Sequence, residues 1–302
     1  MKENYYTYHY MILEDLDKIT MKDYLRKYYG YSSRLIRQVK REGCITLNGK
    51  EESLMVYVKK NDNLSVQLAI EKLDVEPEHI PLDIIHEDDD VLIINKQWGI
   101  VTHPTLSHPK GNLANAIAWH WLHKGVSAKV RFVNRLDRDT SGIVIIAKNK
   151  YAHHFIQNEM MKDRVEKTYY AVVEGIPLVE KGRVDFPIGR ISEDSIMREE
   201  MIDGQYAVTY YQVMEKYRDN AFLQINIETG RTHQIRVHLR GIGHPIVGDS
   251  LYNEKQSELM QRQALHAKGI VFYHPRSHKR VTFQAQLPRD MVSLIDELHK
   301  GL

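Results

Sequence analysis

Two segments of this chain concentrate residues able to do chemistry. The first, Arg131 to Gly142, reads RFVNRLDRDTSG and runs directly into the apolar stretch IVIIAK. It places Asp137 and Asp139 among Arg135 and Arg138, at a turn that Thr140, Ser141 and Gly142 can close through local hydrogen bonds. Neighbouring positive charge favours the ionised form of a carboxylate. Such a group at a strand entry, beside a cleft, can act as nucleophile or general base. The residues do not choose between Asp137 and Asp139, and a salt-bridged loop fits them equally well. The second segment, Glu228 to Asp249, reads ETGRTHQIRVHLRGIGHPIVGD. Its spacing predicts a helix from Arg231 to Gly241 with Ile235, Leu239 and Ile242 as the core stripe. That helix carries Arg231, His233, Arg236, His238 and Arg240, with His233, Arg236 and Arg240 on one face away from the stripe. Free N–H groups in its first turn and cationic side chains together suit a phosphate or an opposing carboxylate. A solvated basic face is the simpler alternative.

Other chemistries are missing. No G-x-G-x-x-G follows a strand, and neither a P-loop nor a G-x-S-x-G elbow occurs. His233 and His238 are five apart, roughly 140° around a helix, so they cannot share one ion there, and no H-E-x-x-H exists. Cys44 is the single cysteine, which excludes a disulfide framework and cysteine-based zinc sites; it reads as a small buried apolar residue in a reducing compartment. No metal and no cofactor are expected. Apolar runs such as Ile143 to Ala147 fall far short of a ~20-residue span. The opening MKENYYTYHYMILEDLDK lacks a signal peptide's apolar region. A cytoplasmic monomer without membrane contact is expected.

The elements that must position these residues fall into two parts. At 302 residues, 42% apolar and 27% charged, the chain is long enough for one large body and a smaller unit. Net charge is only +2, but Lys22 to Lys60 holds ten Lys or Arg against four acids, an excess of +6. The following stretch, Glu71 to Asp90, is acidic. This asymmetry predicts a basic recognition module, residues 15–75, beside a separate body, residues 82–302, with a linker near Pro77 to Pro81. In the module, helices at Met21 to Tyr28 and Arg34 to Arg41 are followed by a hairpin. Ser32-Ser33 caps the second helix, Gly43 stops it, and Asn48-Gly49 turns the hairpin. Arg34, Arg37 and Arg41 recur at three and four and share a helical face.

In the body, strands are predicted at Val91 to Ile94, Gly99 to Val101, Gly142 to Lys148, Lys167 to Gly175, Tyr206 to Lys216, Ala221 to Glu228, Ile270 to Tyr273 and Val281 to Ala285. Helices are predicted at Leu113 to Leu122, Ala152 to Met161 and Asp290 to Leu298. Strands outnumber helices without regular alternation, so the fold class is α+β with a mixed, largely antiparallel sheet.

NRLDRDTSG, the strand residues Lys167, Tyr169, Ala171, Val173 and Gly175, TGRTHQIRVHL with GHPIVGD, and LHAKGIVFYHP together resemble the RluA family of RNA pseudouridine synthases. The resemblance spans roughly residues 82 to 288. SSRLIRQVKREGCITLNGK resembles an S-four-type RNA-binding domain. The resemblance implies the pseudouridine synthase fold and the cofactor-free isomerisation of a uridine in structured RNA, with ribosomal RNA favoured over transfer RNA. It implies that Asp137 is the catalytic aspartate, that Arg236 pairs with it, and that Tyr169 stacks on the base or removes its proton. It places Arg135 in the RNA stack vacated by the target, which must flip out of its helix. Arg231, Arg34, Arg37 and Arg41 are the expected RNA contacts. The chain departs from the family at Asn134, where histidine is usual; asparagine cannot titrate near neutral pH. An inactive RNA-binding protein and a nucleoside or phosphodiester hydrolase are the competing readings. Only an isomerase leaves the RNA intact with its mass unchanged.

Overall fold

The computed structural model describes residues 5–103, 109–255 and 257–301. The N-terminal part comprises β1 (Tyr5–Met11), α1 (Met21–Tyr29), α2 (Ser33–Glu42), β2 (Cys44–Leu47), β3 (Lys50–Glu51) and β4 (Asn63–Ala69). Both helices start at hydroxyl caps: Thr20 Oγ1 accepts the Asp23 N–H and Ser32 Oγ the Leu35 N–H, each at 3.2 Å. α2 ends at Gly43, whose N–H donates to the Val39 carbonyl at 2.8 Å, and a β-carbon there would stand 1.9 Å from the Gln67 carbonyl oxygen. Asn48 and Gly49 both take positive φ, 51° and 80°, as a two-residue hairpin turn requires. The return strand β3 is nevertheless only two residues long, and β2 pairs mainly with β4, in the strand order β1-β4-β2-β3.

β1 lies ahead of residue 15, where the sequence placed the module's start. Its run YYTYHYM contains no branched aliphatic residue, yet Tyr8 and Tyr10 are buried. Cys44 is half-buried rather than buried, and its Sγ donates to Glu51 Oε1 at 3.0 Å; the buried position of this strand falls one residue later, at Ile45.

The body comprises β5 (Asp83–Glu87), β6 (Val91–Lys96), α3 (Leu113–Lys124), β7 (Arg131–Phe132), β8 (Ser141–Ala147), α4 (Lys150–Met161), β9 (Glu166–Glu174) and β10 (Lys181–Val184). After these come β11 (Ile188–Arg190), β12 (Arg198–Glu200), β13 (Thr209–Lys216), β14 (Asn220–Ile227), α5 (Gln234–Gly241), β15 (Leu265–Tyr273), β16 (Arg280–Gln284) and α6 (Arg289–His299). Ten strands make one sheet, in the order β10-β13-β14-β9-β15-β8-β6-β5, with β16 on β15 and β7 on β8. The β8–β15 pair is parallel and the other pairs are antiparallel, so the fold is α+β with a mixed, largely antiparallel sheet. β5, β7, β10, β11 and β12 were not expected from the sequence, β13 and β15 start at Thr209 and Leu265 where Tyr206 and Ile270 were expected, and two predicted elements change in kind or start. Gly99 to Val101 is irregular, and Ile100 instead turns its carbonyl to the Lys96 ammonium. The helix expected from Arg231 starts at Gln234, because His233 adopts a left-handed φ of 57°.

Alternation along β6 and β8 divides their side chains between two cores. Leu92, Ile94, Val144 and Ile146 pack with Leu113, Ile117 and Trp121 of α3. Val91, Ile93, Ile143 and Ile145 pack with Tyr151, Phe155 and Ile156 of α4, and this second core runs without a break into the module through Tyr8, Tyr31 and Leu25. The Tyr31 ring stacks on Tyr151 at 4.3 Å, and Tyr8 meets Tyr151 edge-on at 4.7 Å. At the seam lies buried Asp90. Its carboxylate accepts the Tyr8 hydroxyl, Asn149 Nδ2 at 2.9 Å and the Arg276 guanidinium at 2.6 and 3.2 Å. The basic module is therefore not a bead beside a separate body; the two share a core and a buried polar network.

Asp90→Ala leaves Arg276 and the Tyr8 hydroxyl facing one another without their acceptor. It should destabilise the protein by about 3–5 kcal/mol, and Tyr8→Phe by about 1 kcal/mol, both read by urea denaturation. A loss below about 1 kcal/mol for Asp90→Ala would mean that apolar contact alone seats the module.

Candidate active site

Asp137 stands on the loop joining β7 to β8, and the carbonyls around it are held from within the protein. Thr102 Oγ1 donates to Leu136 O at 3.1 Å, Lys96 Nζ to Arg138 O at 2.9 Å, and Arg262 Nη1 to Asp139 O at 3.1 Å. The Asp137 carbonyl accepts the Thr140 N–H at 3.2 Å. Buried Lys96 donates also to Gln97 O and Ile100 O, each at 3.0 Å. Arg262 is itself fixed by a two-pronged pair with Asp290 at 2.7 and 2.9 Å. Asn134 uses its amide as a strand residue uses its backbone: it accepts the Ile145 N–H at 2.8 Å and donates to Ile143 O at 3.0 Å. The position where the family resemblance expects histidine is thus occupied by a group that pairs with β8. Gly142 has φ 113°, and a β-carbon there would lie 2.3 Å from Ala267 O, so the close β8–β15 approach admits only glycine.

Opposite the loop, α5 presents Arg236. The resemblance expected this residue beside the aspartate, and the structure brings them together: Arg236 Nη1 donates to Asp137 Oδ2 at 3.1 Å. The rest of its fork is taken by Asp249, with Nε to Oδ2 at 2.6 Å and Nη2 to Oδ1 at 2.7 Å. Asp249 is fully buried, and its Oδ1 also accepts the backbone N–H groups of Leu251 and Tyr252. The guanidinium lies over the Tyr252 ring at 4.9 Å. The simple picture of a solvated basic face on α5 does not hold. Arg236 and His238 are buried, and His238 is engaged by Thr209 Oγ1 and the Phe186 carbonyl at 3.0 and 3.1 Å. Asp139 pairs with exposed Arg138 at 3.1 Å, whereas Asp137 lines the cleft.

That cleft encloses about 570 Å³, within the usual range for a ligand site of about 300–1,000 Å³. Asp137, Tyr169, Arg135 and Arg231 line it and also the adjoining recess, where His233 and Arg236 complete the wall. Arg231 is held by Nε to the Tyr206 carbonyl at 2.9 Å. Burial, reinforced by the charge of Asp137, pushes the Tyr169 phenol well above its ordinary value, so the ring keeps its proton at neutral pH. Arg34, Arg37 and Arg41 lie on the exposed face of α2, outside this cleft. Arg41 is paired with Glu42 at 2.6 Å, and Glu42 in turn reaches Lys150 of the body at 3.1 Å.

One group of described residues has metal-like spacing: Asp88, Asp90 and His274. The Arg276 cation already occupies Asp90, and Asp88 accepts from His86 and His274 at 2.8 and 3.0 Å. Residues that support the loop escaped the sequence reading. Lys96 carried a signal, since Leu92, Ile94 and Lys96 share one face of β6 by alternation. Asp249 stood in a quoted motif without a role. Thr102 and Arg262 carried no local signal.

The family description "RNA pseudouridylate synthase" matches residues 90–240. The RNA pseudouridine synthase YjbO of Bacillus subtilis, described as uncharacterized, is 40% identical over 280 residues, covering 92% of this chain and 98% of that protein. The ribosomal large subunit pseudouridine synthase D of Haemophilus ducreyi is 36% identical over 251 residues, 78% of this chain and 77% of that protein. Among solved structures, the human RNA pseudouridylate synthase domain containing 4 superposes with a TM-score of 0.60 at 25% identity, covering 72% of this chain and 93% of that one.

Burial pulls the Lys96 ammonium down from 10.5 to about 7, against the opposing charges of Asp139 and Asp137. Between those values the unfolded chain binds the more protons, so the stability contributed at this site rises with pH across that window. The stability difference between wild type and Lys96→Met should therefore move in favour of wild type from pH 7 to pH 9.5, as measured by urea denaturation of both proteins. A difference that stays flat or falls would remove the buried-ammonium account.

Proposed function

This chain belongs to the RNA pseudouridine synthase family, enzymes that isomerise uridine in RNA to pseudouridine, and from that premise we propose that it is an RluA-type synthase acting on large-subunit ribosomal RNA with Asp137 as its nucleophile. The observation that carries this reading is the 3.1 Å contact between Arg236 Nη1 and Asp137 Oδ2, in a cleft walled by Tyr169 and rimmed by Arg135 and Arg231. The reaction breaks the bond between uracil N1 and the sugar, turns the ring and joins carbon five to the sugar; carbon five loses its proton and N1 gains one, so the composition is unchanged. Asp137 supplies the carboxylate that attacks, and no metal or cofactor takes part. Arg236 orients that carboxylate. Tyr169, kept protonated in the unliganded protein by its burial, stacks on the base.

The target uridine flips into the cleft, which costs a few kcal/mol of unstacking. Arg135 fills the gap left in the RNA, since a guanidinium plane can replace a base. The N-terminal module acts as an S-four-type RNA reader, and its contacts with phosphate offset the flip. The large-subunit assignment draws on the names of relatives such as the Haemophilus ducreyi protein. A monomer working in the cytoplasm completes the reading. Among the described residues, no helix is long and apolar enough to cross a membrane.

Asp137→Ala should abolish tritium release from RNA carrying uridine labelled at carbon five, while the protein stays folded and binds RNA; activity within tenfold of wild type would reject the assignment. Arg236→Lys should fold, because a lysine still meets Asp249, but a point charge cannot bridge two carboxylates. Its rate should fall by about a hundredfold, with RNA affinity within a few-fold; an equal loss of affinity and rate would make Arg236 a phosphate contact. Arg34 and Arg37, unlike Arg41, have no acidic partner among the described residues. Arg34→Ala with Arg37→Ala should reduce the steepness of log K against log salt by roughly 1–2, at about 0.7–0.9 per phosphate. An unchanged slope would leave the α2 face merely solvated.

A further inference from the structure

We propose that His233 is a further catalytic residue, whose Nε2–H donates a hydrogen bond to the uracil ring while that ring is detached from the sugar. The proposal rests on the reading of Asp137 given above. His233 lines the recess together with Asp137, Tyr169 and Arg236. It immediately precedes α5, where a side chain ordinarily caps the helix, yet it makes no capping bond. Its ring turns instead to Tyr252, with Nδ1 at 2.8 Å from the hydroxyl oxygen. It does so from a left-handed backbone, φ 57°, that a residue with a β-carbon adopts only at some cost.

The hydrogen-bond pattern around Tyr252 favours one tautomer of the ring. The Tyr252 oxygen already accepts the Arg198 N–H at 2.8 Å. Its own O–H has one acceptor among the described residues, His233 Nδ1. Nδ1 is therefore the bare nitrogen, and Nε2 bears the hydrogen. Nε2 makes no hydrogen bond among the described residues: its nearest carboxylate oxygen there, Asp137 Oδ2, lies 3.8 Å away, beyond bonding distance. Burial holds the imidazole below its ordinary value despite the charge of Asp137, so the ring is neutral at working pH. The recess thus contains a neutral, oriented and unspent donor beside the proposed nucleophile.

The reaction has a use for it. When the N1–sugar bond breaks, the bonding pair stays with the ring, and the negative charge spreads onto the oxygens at carbons two and four. A fixed donor in a water-poor site is worth most at the moment such charge develops. The hydrogen on Nε2 remains there throughout. His233 consequently cannot be the group that receives the carbon-five proton, which goes to another base.

The test measures single-turnover tritium release for wild type, His233→Ala, His233→Gln and Asp137→Ala, on RNAs carrying uridine, 2-thiouridine or 4-thiouridine at the target. His233→Ala should slow uridine isomerisation by about 10²–10³-fold at unchanged RNA affinity. His233→Gln, which keeps an N–H at similar reach, should recover at least tenfold of this. Sulfur accepts hydrogen bonds poorly, so on one of the two thiouridines wild type and His233→Ala should converge to within a few-fold. Equal losses on all three substrates, or a glutamine variant as slow as alanine, would overturn the proposal and reduce His233 to a prop for Tyr252. Full activity of Asp137→Ala would instead reject the underlying reading, so the two failures are distinguishable.

Discussion

A guanidinium offers five donors in one plane, and Arg236 divides them between two carboxylates. Asp249 takes a bidentate share at 2.6 and 2.7 Å, and Asp137 takes a single bond at 3.1 Å. The asymmetry has chemical consequences. Asp249 accepts four hydrogen bonds among the described residues and is shut away from solvent, so its charge is well compensated. One cation then serves two anions, and the trio keeps a net charge of about −1 that resides on Asp137. Asp137 Oδ1 has no hydrogen bond among the described residues. Arg236 therefore aligns this carboxylate without consuming it, which a one-to-one bidentate pair would do. Burying Arg236 and Asp249 is costly in itself. What the cost secures is a fixed direction for the Nη1–H that meets Asp137.

The sheet makes that fixity possible. Asp137 is on a loop, and loops are ordinarily the mobile part of a fold. Here the loop's carbonyls at Leu136, Arg138 and Asp139 rest on Thr102, Lys96 and Arg262, each a buried side chain. Asn134 adds a strand-like pair at the near end, and Gly142 lets β8 close on β15 at the far end. β8 itself is buried at every position because both of its faces are covered, one by α3 and the other by α4 and the module. The module thus takes part in the packing behind the strand that carries the site.

Features governed by neighbouring residues were legible in the sequence. Ser32, Gly43 and Asn48-Gly49 act within a few positions of themselves, and the caps and the turn lie where their chemistry puts them. Long-range features were less so. A strand made of tyrosines gives no aliphatic alternation, and Tyr8 declares its place through distant partners, Asp90, 82 residues away, and Tyr151. The start of α5 moved because His233 answers to Tyr252, 19 positions on, rather than to the helix it precedes. Asp137 could not be separated from Asp139 by type or spacing; the family motif named it. In the structure Asp137 faces Arg236, while Asp139 is drawn to Arg138. Lys96 is the instructive miss, a lysine at the end of an apolar alternation that reads as a strand's polar terminus. It is in fact the cation under the loop.

The shared core also bears on how the proposed reading would use binding energy. A flexibly tethered reader contributes through effective concentration, which falls as its linker lengthens. Here Tyr8, Tyr31 and Asp90 fix the module against α4, and the Glu42–Lys150 pair ties α2 to the same helix. Arg34 and Arg37 are thereby held at a constant offset from Asp137. An RNA whose phosphates and target uridine match that offset meets both surfaces with no loss of hinge freedom, whereas a mismatched RNA gains from only one of them. Under that reading, base flipping would become selective for RNA shape. The proposed phosphate contacts that offset unstacking would be available only when the target already lies over the cleft, so that specificity would arise from the distance between the two surfaces as well as from contacts to the base.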